Sequence, residues 1–263
     1  MAHTVEEADT PKRIVVKTID TEAPWRWLSA GWNDLGKARS VGLTYGFIFS
    51  LVSFVLTVGL WVTDNMGFLP PLAAGFMLVA PMLAVGLYET ARRIEAGEPV
   101  TLGSALVVST RSPLQLAFMA VLLTVIMLAW MRVALLLFAL FMGTNHVPPP
   151  ELLMTELLLT RHGIALLIVG SAVGAVLAMV VFSISVVGVP LLMVREVDAF
   201  TAIWTSLLTV RHNWTACLLW AWLIALLSAA GIVTFFVGMI VTFPLLGFAS
   251  WHAYSELVGL EGE

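Results

Sequence analysis

The chain has 263 residues, of which 60% are hydrophobic and only 11% are charged. Soluble domains contain roughly a quarter charged residues, so this composition excludes an ordinary soluble protein and predicts an integral membrane protein. The formal net charge is −4 and no basic stripe is present, which argues against nucleic acid as a partner. Cys217 is the only cysteine, so the chain cannot form an intramolecular disulfide or a thiolate metal cluster.

The first residues, 1–23, are polar and mixed in charge. A cleavable signal peptide needs an apolar stretch close behind a basic start, so we expect none here. We predict that this segment is a disordered cytoplasmic tail, followed by a single membrane domain at residues 24–258 and a short C-terminal tail at residues 259–263.

Six apolar segments follow, each long enough for a helix that crosses the hydrocarbon core of a bilayer, which needs about twenty residues. They are residues 41–61, 68–89, 114–142 and 164–194, together with two segments obtained by dividing residues 214–254 near positions 231–238. The sequence therefore predicts an all-α, polytopic transmembrane bundle of six helices.

The positive charges outside these segments are distributed unevenly. One side of the predicted membrane carries Lys37, Arg39, Arg92, Arg93, Arg111, Arg195 and Arg211, whereas the other side carries Arg161. Short cytoplasmic loops are enriched in lysine and arginine. The pattern predicts a multi-pass protein of the bacterial inner membrane with both termini in the cytoplasm.

The sequence also suggests an internal repeat. Residues 101–111 align without a gap with residues 201–211, and residues 25–37 form a more divergent copy before the first apolar segment. Each copy predicts a short amphipathic helix at the headgroup level, followed by two transmembrane helices. The predicted repeats are residues 24–93, 98–197 and 198–258, related by a pseudo-threefold axis along the membrane normal.

A proline stands at a similar place in the second transmembrane helix of each repeat, at Pro81, Pro190 and Pro244. Because proline removes a backbone hydrogen bond and kinks a helix, three equivalent kinks are predicted.

Eight residues after these prolines come Glu89, Asp198 and His252. Under threefold symmetry they would converge, and this set of side chains is able to bind a divalent metal such as non-haem iron. The simpler interpretation is that Glu89 pairs with a following arginine, Asp198 caps the next helix and His252 lies at the membrane surface. On that interpretation the chain holds no metal and no cofactor.

Arg132 is the one charge far inside an apolar segment, nineteen residues beyond Pro113. At helical rise this distance is about 28 Å, which places Arg132 near the outer boundary of the membrane. We expect it to extend to that boundary or to pair with Asp64, Glu151 or Glu156, and a role in substrate passage is the alternative.

Two further features lie in the same half of the chain. Gly163, Gly170, Gly174 and Ala178 fall on one face of the fourth segment, which predicts close helix packing. Residues 146–161 predict a proline-rich turn followed by a short amphipathic helix on the outer side.

Several strings resemble a known family. They are Gly31-Trp32-Asn33-Asp34-Leu35 near the start, Gly86-Leu87-Tyr88-Glu89 with Arg92-Arg93 after the second segment, and Trp251-His252 with Tyr254 near the end. Over residues 14–258 the chain resembles a family of uncharacterised bacterial integral membrane proteins, some of whose members are labelled cytochrome c oxidase subunits. The resemblance implies a respiratory context, and an accessory role within it, because the chain lacks the mid-membrane histidines that bind haem and copper in a catalytic subunit.

No nucleophile, acid–base pair or phosphate-binding loop appears at a recognisable spacing. We therefore expect a non-enzymatic membrane protein, an accessory or assembly partner of a membrane complex such as a respiratory oxidase. A small-solute transporter or channel and a lipid-binding protein are the alternatives.

Overall fold

The structure is a computed structural model that describes residues 14–106, 108, 110–143 and 150–260. Residues 1–13 of the predicted N-terminal tail, residues 261–263 of the predicted C-terminal tail and the predicted turn at residues 146–149 lie outside this range. Within it, the chain is helical apart from two short strands.

The elements follow one another in an order set by the apolar segments and the turns between them. In chain order they are β1 (Ile14–Val16), α1 (Ala23–Lys37), α2 (Arg39–Val62), α3 (Leu69–Leu83), α4 (Val85–Glu95), α5 (Leu102–Leu106), α6 (Pro113–Met142), α7 (Pro150–Leu159), α8 (Arg161–Ser185), α9 (Gly188–Val194), α10 (Ala199–His212), α11 (Trp214–Val233), α12 (Met239–Leu257) and β2 (Val258–Leu260). A 3-10 turn at Met66–Phe68 leads into α3.

Among the described residues, five helical segments have the length and composition needed to cross a membrane. They are Arg39–Val62, Met66–Glu95, Pro113–Met142, Arg161–Val194 and Trp214–Val233. The first four predicted segments are thus confirmed as candidate spans. The division of residues 214–254 is also confirmed, because α11 ends at Val233 and α12 begins at Met239.

The two ends of the described chain meet. Ile14, Val15 and Val16 pair in antiparallel register with Leu260, Gly259 and Val258. This pairing differs from the predicted disordered tail over residues 1–23 and from the predicted start of a tail at residue 259. We call the side of the bundle with β1, β2 and the C-terminal ends of α4, α9 and α12 the terminal face, and the side with the turn after α2 and with α7 the distal face.

Helix α12 is the central element of the fold. Its neighbours approach it through glycines, since a side chain added at Gly31 of α1 would lie 2.7 Å from the Ala249 amide nitrogen, and one at Gly46 of α2 would overlap the Ile240 carbonyl. Small residues allow helices to approach this closely in a membrane. On α12 itself, residues 243–249 are all buried.

The three predicted repeats differ in detail. Helices α1 and α10 match the predicted amphipathic segments, whereas α5 is only five residues long and Val107 and Ser109 after it lie outside the described residues. Pro81 stands two residues before the end of α3, Pro190 lies after the break between α8 and α9, and Pro244 lies inside the unbroken α12. The three prolines therefore do not produce the equivalent kinks that were predicted.

Candidate functional site

An apolar cavity lies between α3, α6 and α8 in the distal half of the bundle. Its volume is about 570 Å³. On its lining, the 3-10 turn contributes Phe68, and α3 contributes residues between Pro70 and Leu78. Residues between Trp130 and Phe138 come from α6, residues between Leu166 and Ala178 come from α8, and Leu157 of α7 and Ala225 of α11 complete the wall. All three long helices belong to candidate spans.

Trp130 forms part of the wall of this cavity. Its indole nitrogen donates a hydrogen bond of 2.9 Å to the Pro71 carbonyl in the first turn of α3. A side-chain carbon added at Gly174 of α8 would lie 3.1 Å from the Trp130 ring, and one added at Gly75 of α3 would lie 3.5 Å from it. Two glycines thus accommodate the indole between the helices and hold α6 against both neighbours.

The small residues predicted on α8 have two different environments. Gly163 packs against the backbone of α7 and Gly174 against Trp130, which confirms the predicted close packing. Gly170, which lines the cavity, has no atom within 4 Å of the position its side chain would take. Gly170 therefore leaves open space at the wall of the cavity.

The chemistry of the cavity is almost entirely apolar. Among the described lining residues, Ser171 has the only hydroxyl, and the Trp130 indole N–H is already hydrogen-bonded. Acid–base or metal chemistry requires titratable side chains, and the described residues that line this cavity include none. The arrangement is able to hold an apolar group of a ligand.

Arg132 lies close to this cavity in sequence but not on its wall. The α6 residues that line the cavity include Trp130 and Ala134, and at 100° per residue Arg132 points to the other side of the helix. Its side chain is exposed on the outer surface of the bundle.

Glu89, the first residue of the predicted metal cluster, is fully buried in α4. Its carboxylate accepts hydrogen bonds of 2.8 and 2.9 Å from Arg92 and one of 2.7 Å from Arg93. Glu98 lies beside both arginines, 3.2 Å from Arg92 and 3.6 Å from Arg93. The predicted pairing of Glu89 with the following arginines is confirmed, and Glu98 makes the group a four-residue, charge-balanced network.

Asp198, the second residue, is exposed and caps α10. Its carboxylate accepts hydrogen bonds from the Thr201 amide at 2.9 Å and the Thr201 hydroxyl at 2.6 Å. These two donors lower the pKa of the Asp198 carboxyl below its ordinary value of 3.8. The predicted capping role is confirmed, and it is the usual one for aspartate before a helix.

His252, the third residue, is bonded to Asp34, a residue the sequence did not single out for this role. The distance from His252 Nε2 to Asp34 Oδ2 is 2.7 Å, and Lys37 lies 3.3 Å from the same carboxylate. Asp34 is buried, so this contact joins α1 to α12 through a shielded polar pair. No sequence signal identifies a pair separated by 218 positions.

The structure thus gives Glu89, Asp198 and His252 three separate sets of partners and does not bring them together. Within the part of the chain that the structure describes, no group of three His, Cys, Asp or Glu side chains is placed to hold a metal ion.

Comparison with protein families identifies the central part of the chain. Residues 68–194 match the family described as "Predicted integral membrane protein (DUF2189)". The resemblance to an uncharacterised membrane family that the motifs predicted is confirmed over this segment. Comparison with curated proteins and with solved structures gave no match. The matched segment begins with α3 and ends with α9, so it contains nearly the whole distal cavity and also Glu89.

Proposed function

We propose that this chain is a non-enzymatic integral membrane protein that binds the acyl chain of a membrane lipid in the distal cavity. The observation that carries the proposal is the apolar cavity itself, with the open space beside Gly170. Its volume of about 570 Å³ falls within the range of known ligand sites, roughly 300–1,000 Å³.

Access from the bilayer supports an acyl chain as the occupant. Leu135, one of the lining residues, is also 37% exposed on the outside of the bundle, so the cavity reaches the lipid-facing surface. Water is a poor occupant, because it needs two to four polar partners and the lining offers little besides Ser171. Acyl chains surround these helices at the same depth and match the lining in polarity.

The topology we propose has six transmembrane helices, with α12 as the sixth. Helix α12 has 19 residues and is therefore about 28 Å long, close to the thickness of the hydrocarbon core. Its last two turns carry His252, Ser255 and Glu256, which lowers its apolar character, but these residues lie at the terminal face. We propose that these helices form three units of two helices each, related by a pseudo-threefold axis.

The orientation we propose places the terminal face in the cytoplasm of a bacterial cell, in the inner membrane. Arg92, Arg93, Arg195 and Arg211 follow or lie at the ends of helices on that face, in agreement with the charge bias of cytoplasmic loops.

A second candidate function is the accessory or assembly role in a membrane complex, including a respiratory oxidase. The observation that favours it is the outer surface of α8, where Ile168 is 65% exposed and Val176 is 68% exposed. Purification in mild detergent with quantitative mass spectrometry tests it, because stoichiometric recovery of other membrane subunits would support this role. A transporter or channel has less support, since Arg132 lies outside the cavity.

The lipid proposal is tested by filling the cavity. We expect Gly170→Leu to reduce several-fold the amount of lipid that remains bound after detergent washing, measured by native mass spectrometry. Gly59→Leu is the matched control, because Gly59 also has open space around it but lies on the exposed surface of α2. Equal lipid retention in the wild type and both variants would overturn the proposal.

A second measurement does not depend on the variant folding. In the wild-type protein, a phospholipid with a photoreactive group on its acyl chain should label the α3 and α6 peptides that contain Met77 and Leu137. Labelling confined to exposed α2 residues such as Val55 would show that lipid contacts the outer surface without entering the cavity.

A further inference from the structure

A second recess, chemically different from the distal cavity, opens on the terminal face. Its volume is about 240 Å³, and its wall includes Arg92, Arg195, Trp251, Tyr254, Ser255 and Gly259. Five structural elements therefore meet here: β1, α4, the end of α9, the last turns of α12 and β2.

Arg195 supplies a positive charge to this recess. Among the described residues, no carboxylate lies within 4.0 Å of its guanidinium, which stands beside the Tyr254 hydroxyl. Arg92, by contrast, is paired with Glu89 and Glu98. A guanidinium that is only partly exposed and faces a recess with hydroxyl groups is a favourable partner for an anion with several oxygens.

The backbone around Arg195 is fixed before any ligand binds. The Ser112 hydroxyl donates a hydrogen bond of 2.9 Å to the Arg195 carbonyl, and the Arg111 amide donates one of 3.0 Å to the Met193 carbonyl. The Thr110 hydroxyl donates a third, of 3.0 Å, to the Leu192 carbonyl. Because these three bonds already order the segment, binding of a ligand costs less conformational entropy.

The strand pair of the two chain ends forms another side of the recess. The Lys17 amide bonds the Leu257 carbonyl at 2.9 Å, and the Lys17 ammonium lies where a side chain on Gly259 would stand. A second cation therefore lies beside Gly259, one of the residues that line the recess. The nearby carboxylate of Glu95 is already engaged, since it accepts a hydrogen bond of 2.9 Å from the Trp251 indole.

The level of the recess favours a lipid headgroup over a soluble anion. Arg195 follows directly after Val194, the last residue of one candidate span, and Arg92 lies in the last turn of another. Trp251 and Tyr254 are amphipathic aromatic residues of the kind enriched at the boundary between hydrocarbon and headgroups. Lipid phosphates lie at this boundary.

We propose that the recess binds the phosphate group of an anionic phospholipid, with Arg195 as its main ligand. Tyr254 and Ser255 supply hydroxyl groups, and Lys17 supplies a second positive charge. This site is independent of the acyl-chain cavity, which lies in the distal half of the bundle, so either site can fail its test alone.

The test compares phosphatidylglycerol with phosphatidylcholine of identical acyl chains, each titrated into the delipidated full-length protein and followed by native mass spectrometry. We expect preferential binding of phosphatidylglycerol, weakened on the order of tenfold by Arg195→Gln, because a hydrogen bond to a charged group contributes about 1.5–3 kcal/mol. Arg195→Lys should retain part of the preference. Arg211→Gln, an exposed arginine on α10, is the matched control and should leave binding unchanged.

Competition with inorganic phosphate shows whether the recess binds a lipid headgroup or a free phosphate ion. If millimolar phosphate displaces phosphatidylglycerol from the wild type but not from Arg195→Gln, the site takes a soluble phosphate and the lipid proposal is wrong. Equal binding of the two lipids, or an equal loss in the Arg195 and Arg211 variants, would also overturn it. A Gly170→Leu protein that still prefers phosphatidylglycerol would support this site whatever becomes of the distal cavity.

Discussion

The two halves of the bundle are built differently. In the terminal half, residues 84–91 and residues 188–193 are buried without interruption, and ion pairs join charged side chains there. In the distal half, Trp130 is the only buried residue of α6 after Leu123, and Gly163 is the only buried residue of α8 before Val181. The same chain thus has a densely packed region and a region whose helices mostly face their surroundings.

This contrast follows from the different surroundings of the two halves. Near the membrane surface, water competes for the backbone and for charged groups, so specific pairs such as Glu89 with Arg92 and Asp34 with His252 are needed to fix the helices. Deeper in the bilayer, lipid is as apolar as leucine, and helices gain little by burying apolar surface against one another. The distal half is therefore able to contain a cavity at small cost, and we expect ligand binding there to leave the terminal half unchanged.

Removing the buried carboxylate of Glu89 should have the largest effect on stability. Glu89→Ala leaves Arg92 and Arg93 with Glu98 alone, and we expect a loss of about 3 kcal/mol in the free energy of unfolding, near the lower end for a broken buried ion pair. Glu98→Ala, which removes the more exposed carboxylate, should cost far less. Thermal unfolding of the purified proteins measures both changes.

Equal losses in the two variants would show that burial of Glu89 does not stabilise the terminal half. Metal analysis of the same samples tests whether Glu89 and His252 bind a metal ion instead. An equimolar divalent metal in the wild type that disappears in Glu89→Ala, and also in His252→Ala, would restore the metal-cluster interpretation.

The sequence predicted the parts of the fold that depend on local composition. The candidate spans and the division after α11 were predictable because hydrophobic length determines them residue by residue. The pairing of Glu89 with Arg92 was predictable for the same reason, since both residues lie on one helix three positions apart.

The features that depend on distant parts of the chain were not predictable. The contact between Asp34 and His252 and the pairing of β1 with β2 join opposite ends of the sequence. The cavity depends on which glycine faces Trp130 and which faces open space, and the spacing of Gly170 and Gly174 does not distinguish them. Equivalent kinks at the prolines were expected from sequence similarity, but the helix break lies after Pro81 and before Pro190.

Two glycines on α1, Gly31 and Gly36, test how closely α1 packs on α12 in the terminal half. Gly31→Ala would place its new carbon 2.7 Å from the backbone of α12, so we expect a loss of about 1–3 kcal/mol in stability from overpacking. Gly36→Ala, on the same helix, meets no atom within 4 Å and should be neutral or stabilise by up to about 0.5 kcal/mol. Chemical unfolding of the two variants gives the difference directly, and equal stabilities would mean that α1 does not pack on α12 through Gly31.

The smallest expected effect concerns Asp198, which lies on the terminal face but outside its buried networks. Because the Thr201 donors lower the pKa of Asp198 below 3.8, its ionised form stabilises the folded protein at neutral pH. That contribution is fully present above the unfolded-state pKa of about 3.9 and is lost as the pH falls through the lower folded-state pKa.

Asp198→Asn keeps an oxygen acceptor for the Thr201 amide but does not titrate. We therefore expect the melting temperature of the wild type to fall more steeply than that of Asp198→Asn below about pH 4, with a difference on the order of 1 °C. Identical acid profiles would show that the cap contributes through its hydrogen bonds alone, whereas a large difference would place Asp198 among the structural ion pairs of the terminal half.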